Sequence, residues 1–171
     1  VAASHTASLS GDDGIYDGVF KQCGAVAVEN TVEFTSVLMS LSRGKLPRGN
    51  RVGILSEGGG DCALTADACG RAGLEVPPLP AAHQERLRAI VPEIGQVTNP
   101  VDMATWQKIP EVAEMMVDGN AIDGLVIVGG FCGWDFLNRD VAAEVEESAE
   151  QMSRLVAASE KPILVYTYYA Y

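Results

Sequence analysis

Short unbroken apolar runs alternate along this chain with stretches in which apolar residues recur every three or four positions. Residues 52–55 and 124–130 are unbroken runs that predict buried strands, and residues 161–166 read as the last strand. Residues 25–28 and 74–76 predict two briefer strands, and residues 96–103 an extended segment closed by the Asn99-Pro100 pair. Helical spacing appears first at Ile15, Val19, Phe20 and Cys23, and Gly24 stops it. Asn30 opens a second helix with Glu33 three residues on, the pattern of a capping box, and Val37, Leu38 and Leu41 form its apolar face. Further helices are predicted over residues 84–91, 109–117 and 139–159. Their inward positions are Leu87, Ile90 and Val91 in the first, and Val141, Val145, Met152 and Leu155 in the last.

From residue 51 onward strand and helix alternate, which implies a parallel sheet with helices on both faces. The fold class expected is α/β: a flavodoxin-like, doubly wound parallel sheet in three α/β/α layers, with strand order 2-1-3-4-5 or a truncation of it. The basic, turn-rich stretch 44–50 reads as a linker. It divides the chain into a helical segment, 1-50, and the sheet domain, 51-171. Residues 1–11 are small and polar and read as a loop.

The first strand of that domain runs straight into Glu57, Gly58, Gly59, Gly60 and Asp61. A small-residue segment then continues to Gly73, so the glycines open a helix. Such a corner points backbone N–H groups beyond the strand, and the helix end adds about half a positive charge. That geometry holds phosphate. Glu57 and Asp61 oppose a bare phosphate, while Asp61 also suits a helix cap. In open sheets of this kind ligands sit beyond the carboxyl ends of the strands. This places Asn99, Asp102 and the loop carrying Trp134 and Phe136 around the same crevice, with Glu57, Asp61, Asn99 and Asp102 as candidate phosphate or metal contacts; Asn99 and Asp102 read equally as an Asn-Pro turn that caps a strand.

Composition narrows the partners. The 171 residues are 47% hydrophobic, enough for a packed core, and carry a net charge of -11. That charge argues against nucleic acid or an anionic membrane as the main partner. No apolar run approaches the roughly 20 residues of a membrane span. The cysteines, Cys23, Cys62, Cys69 and Cys132, form no C-x-x-C pair, and with two histidines no zinc site is expected. Cys62 and Cys69 lie seven apart on one predicted helix and read as core. A reduced, cytoplasmic setting follows.

His5 stands within Ser-His-Thr-Ala-Ser-Leu-Ser-Gly, residues 4–11. This resembles the Ser-His-Thr-Gly-Ala-Leu-Ala-Gly segment of the ADP-forming acyl-CoA synthetases, relatives of succinyl-CoA synthetase. Residues 50–55, the glycine turn, residues 66–69 and 72–74, and Asn99-Pro100-Val101-Asp102 match the next domain of that family. At the turn the family often has Asn-Ala-Gly-Gly-Pro-Gly; here Glu57 and Asp61 add carboxylates. Thr6-Ala7 also replaces Thr-Gly, which stiffens the loop slightly.

The resemblance implies an enzyme that interconverts acyl-CoA, ADP and phosphate with acid, CoA and ATP. His5 is then the catalytic residue, phosphorylated on a mobile loop, and Gly58, Gly59 and Gly60 bind its phosphoryl group. It further implies Mg2+, ATP or ADP, and CoA in the full-length enzyme, CoA-binding and ATP-grasp domains as partners, a small-molecule acid or acyl-CoA as substrate, and an oligomer. This piece alone is expected to be inactive. Three other readings stay open at this stage. Residues 58–63 also fit G-x-G-x-x-A, a dinucleotide fingerprint with Glu75 as its acidic partner. Asp102 suits the phosphate acceptor of a signalling receiver. The parent could also be a protein acetyltransferase carrying a synthetase-like regulatory module.

Overall fold

The computed structural model describes residues 13–131 and 139–168. It divides into two compact units, Val1–Gly44 and Lys45–Tyr171. In the first unit, α1 (Asp13–Cys23) ends at Gly24, whose φ of +67° suits a residue without a side chain. Helix α2 (Thr31–Arg43) is capped by Asn30, whose Oδ1 accepts the Glu33 N–H at 2.9 Å. Glu33 reaches back to the N–H of Glu29 at 2.8 Å. The capping box predicted from sequence is therefore present, with its return bond one residue earlier. Residues 25–28 are not a strand, because no ladder partner lies beside them among the described residues. Leu38 and Leu41, predicted to be inward, are 50% and 53% exposed.

In the second unit, β1 (Val52–Ser56), β2 (Val101–Asp102), β3 (Gly124–Val128) and β4 (Ile163–Tyr166) form one parallel sheet in the order β2-β1-β3-β4. Four helices join them: α3 (Gly59–Arg71), α4 (Ala81–Arg88), α5 (Ile109–Val117) and α6 (Ala142–Ala158), the last entered by a 3-10 turn, Arg139–Val141. The order is the predicted flavodoxin-like winding, truncated.

Alternation along β1 sends Val52 and Ile54 to one face and Leu55 to the other. On the first face Cys69 of α3, with Ala66, packs against Val52, Ile54 and Val126. The small residues of α3 are what let it lie close to the sheet. On the second face Leu55, Leu125 and Ile127 meet Leu87, Val112, Met116 and Met152. Each such side chain, fully buried, contributes about 1.5–3 kcal/mol.

The predicted strand 74–76 shrinks to a single bridge between Glu75 and Arg51. Pro77 and Pro78 follow immediately and cannot donate to a ladder. The place beside β1 passes instead to Val101 and Asp102, in register with Leu55 and Ser56. At the far edge, Leu164, Val165 and Tyr166 of β4 are 52%, 40% and 58% exposed.

The amino ends of the strands are locked by charge. Arg51 donates from Nε to Asp123 Oδ2 at 2.9 Å and from its terminal nitrogen to Oδ1 at 2.8 Å. Its backbone N–H adds a bond to Oδ2 at 3.1 Å. These bonds, the side-chain pair first, pull the Asp123 carboxyl down to about 2. Gly49 must be glycine here, since a Cβ would sit 2.4 Å from Asp123 Oδ2. Two lysines close helix ends nearby: Lys161 Nζ donates to the carbonyls of Val117 and Gly119 at the end of α5, and Lys45 Nζ to those of Ala157 and Ser159 at the end of α6. A cleft of about 700 Å³ opens at this end, lined by Arg48, Arg86, Met115, Asp118, Leu155 and Glu160 among others.

Candidate functional site

At the opposite, carboxyl end, β1 stops at Ser56, which is fully buried. Its Oγ accepts the Gly58 N–H at 3.2 Å and so shapes the corner. Gly58 is the N-cap of α3, in extended conformation and with no side chain to cap the helix. Its carbonyl accepts the Cys62 N–H at 3.2 Å. That first helical bond leaves the N–H groups of Gly59, Gly60 and Asp61 without an intrahelical acceptor. A positive helix end thus stands at the head of β1.

Carboxylates surround it. Asp102, level with Ser56 on β2, accepts the Ala104 N–H on Oδ1 at 2.9 Å. Its Oδ2 lies so close to Gly59 that a Cβ there would come within 2.9 Å. Asp61 receives a hydrogen bond from the Tyr168 hydroxyl on Oδ1, and a Cβ at Gly58 would lie 3.9 Å from its Oδ2. The field of these acids is felt by Cys62 in the same turn. Burial first, then Asp102 and Asp61, push its thiol up to about 12, and its Sγ faces the Val101 carbonyl at 3.5 Å. Cys62 is thus core and not a nucleophile, as its spacing from Cys69 predicts.

Asn99 does not face the crevice. It is 9% exposed, and its amide is spent on backbone: Oδ1 accepts the Ile54 N–H at 2.9 Å, while Nδ2 donates to the carbonyls of Val52 at 3.0 Å and Pro77 at 2.8 Å. Expected as a phosphate or metal contact, it has instead become part of the sheet. The turn does not fit a protein-built Mg2+ site either. Among the described residues no three acidic, histidine or cysteine side chains converge, and Asp61 and Asp102 already hold protein partners. His5, Cys132, Trp134 and Phe136 lie outside the described residues.

The structure brings Gly58, Gly59, Gly60, Asp61 and Asp102 together at one corner. It separates Glu75 from them. Glu75 pairs with Arg51, at the amino end of the sheet, five residues of strand away from Ser56 and the turn. About 16 Å of extended backbone separate the two ends, so Glu75 cannot serve a dinucleotide held at the glycines. Asp102 ends an edge strand, not the central one, which removes the receiver reading. Ser56 and Tyr168 were not singled out from sequence. A serine closing a strand two residues before a glycine is a usable signal; the Tyr168–Asp61 contact spans 107 positions and has none.

The chain is similar to several known proteins. A model of the succinyl-CoA ligase like flavodoxin domain matches residues 1–41. The alpha subunit of ADP-forming acetate–CoA ligase II from Pyrococcus furiosus is 38% identical over 130 residues, which are 74% of this chain and 28% of that subunit. The chain is thus similar in sequence to ADP-forming acid–CoA ligases. It spans little more than a quarter of the length of that curated relative. The crystal structure of PH0766 from Pyrococcus horikoshii superposes with a TM-score of 0.76 at 29% identity, covering 95% of this chain and 37% of that one. A dinucleotide forming acetyl-coenzyme A synthetase 1 from Ca. Korarchaeum cryptofilum, solved with phosphate and ADP, shares the fold at TM-score 0.71 and 22% identity, over 96% of this chain and 40% of that one. The family-model match falls on the unit that precedes the sheet in sequence. No helix among the described residues is long and apolar enough to cross a membrane.

Proposed function

We propose that this chain is the histidine-bearing part of an ADP-forming acid–CoA ligase that works through a phosphohistidine. The observation that carries the reading is the uncapped glycine helix end at the head of β1, in a chain 38% identical to an ADP-forming acetate–CoA ligase subunit. Phosphate attacks the thioester carbonyl and CoA leaves as the thiol, giving an acyl phosphate. An imidazole nitrogen of His5 attacks the phosphorus and the acid departs as carboxylate. A terminal oxygen of ADP then takes the phosphoryl group and the imidazole is restored.

In this scheme the N–H groups of Gly59, Gly60 and Asp61 receive the phosphoryl group at one station of its path. Gly58 contributes its extended conformation, its own N–H being held by Ser56. Asp61 and Asp102 keep the station from retaining anions too tightly, and Glu57, beside the turn, adds to that negative field. CoA-binding and ATP-grasp domains supply the other stations, and Mg2+ accompanies the nucleotide there. The enzyme works in the cytoplasm, in keeping with cysteines that stay reduced; Cys23, Cys62 and Cys69 are free thiols.

Incubating the full-length enzyme with labelled ATP and Mg2+ tests the scheme. Acid-labile, base-stable label on the protein, absent from His5→Ala, is the expected result. Label that persists in His5→Ala would refute it.

A further inference from the structure

We propose that Asn99 is a positioning residue for the glycine turn, acting as a strand residue built from a side chain. The claim rests on the turn being the phosphate station proposed above. Beside β1 there is a gap. Glu75 bridges Arg51 at one end, and Val101 begins to pair only at Leu55. In a parallel ladder, one residue bonds the carbonyl before its partner and the N–H after it. The Asn99 amide bonds the Val52 carbonyl and the Ile54 N–H, the two groups that flank Gly53. It therefore plays the absent residue opposite Gly53.

Its second N–H, on the Pro77 carbonyl, ties the incoming chain to the same point. Two residues after Asn99 the backbone becomes β2. Met103 N–H bonds the Ser56 carbonyl at 2.7 Å, and Asp102 meets Gly59. One side chain thus fixes both walls of the corner, the β1 exit and the Asp102 carboxylate, from a buried place without touching the ligand.

The test uses Asn99→Asp. The carboxylate has the shape of the amide but presents acceptors to two carbonyls, and burial raises its titration above the ordinary range. Protonated, its O–H restores one of the two bonds. At neutral pH the amide resonances of Gly58, Gly59, Gly60 and Ala104 are expected to move while that of Val112 in α5 stays. Acidification should return them. In the full-length enzyme, phosphoryl transfer at neutral pH should fall about a hundredfold, the scale of an ångström of misplacement, with the KM for CoA unchanged. Turn amides that hold still at neutral pH in this variant would overturn the proposal.

A second measurement needs no variant. In the wild-type chain the side-chain NH2 of Asn99 should exchange with solvent as slowly as a sheet amide; exchange at the rate of a surface asparagine would also overturn it. The underlying reading is judged separately. If the Gly59, Gly60 and Asp61 amides of the wild type ignore inorganic phosphate, the station is lost, whatever Asn99 positions.

Discussion

The two ends of the sheet are built by opposite rules. At the amino end four strong charges meet complements: Arg51 and Asp123 face each other through two side-chain bonds, and Lys45 and Lys161 cover helix carbonyls. At the carboxyl end a positive helix terminus is left uncapped, with negative side chains standing beside it. Saturated polar groups stabilise; unsaturated ones are available to a ligand. The contrast says which end holds the fold together and which end is kept for chemistry, although a cleft of about 700 Å³ lies at the holding end.

Substitutions can break that division of labour, and the largest effect should come from Gly59→Ala. A Cβ within 2.9 Å of Asp102 Oδ2 must displace the carboxylate or the turn. Phosphoryl transfer in the full-length enzyme should drop about a hundredfold, while the melting temperature changes little. A variant that melts early yet transfers normally would reverse the assignment of the two ends. Next comes Gly49→Ala, whose Cβ would meet Asp123 Oδ2 at 2.4 Å. Overpacking of this kind costs about 1–3 kcal/mol, visible in urea unfolding, with phosphoryl transfer unaffected.

Lys161→Met leaves the Val117 and Gly119 carbonyls without their cation. A loss of about 1–2 kcal/mol is expected from hydrogen bonds to a charged group, again with no kinetic effect. The smallest effect at neutral pH belongs to the acid limb. Because Asp123 titrates at about 2 in the fold and near 4 when unfolded, its contribution is complete above about pH 4 and disappears as pH falls through about 2. Stability measured against pH should slope across that window, and Asp123→Asn should flatten the slope.

Much of the sheet could be read from sequence because its signals are local. The apolar runs of β1 and β3 allow little but burial, and Ile109–Val117 declares itself by helical spacing and a proline in the first turn. The cap at Asn30 is a four-residue pattern. What failed was what depends on a distant partner. Residues 74–76 have the composition of a strand, yet the place beside β1 is filled by a side chain 24 positions beyond Glu75. Asn99 reads equally as a ligand contact or as a strand-capping Asn-Pro turn; that it pairs with the backbone of β1 depends on residues 45 positions away. The glycine corner was legible as a helix opening. That a side chain at 59 would crowd Asp102 was not, since the two residues meet only after folding.

That meeting constrains how the family can drift. A larger residue at 59 forces the 102 carboxylate to shift or to shorten, and a shortened 102 gives up the bond that orders Ala104. Neither single step is neutral, so lineages should cross this corner by paired changes or leave it untouched.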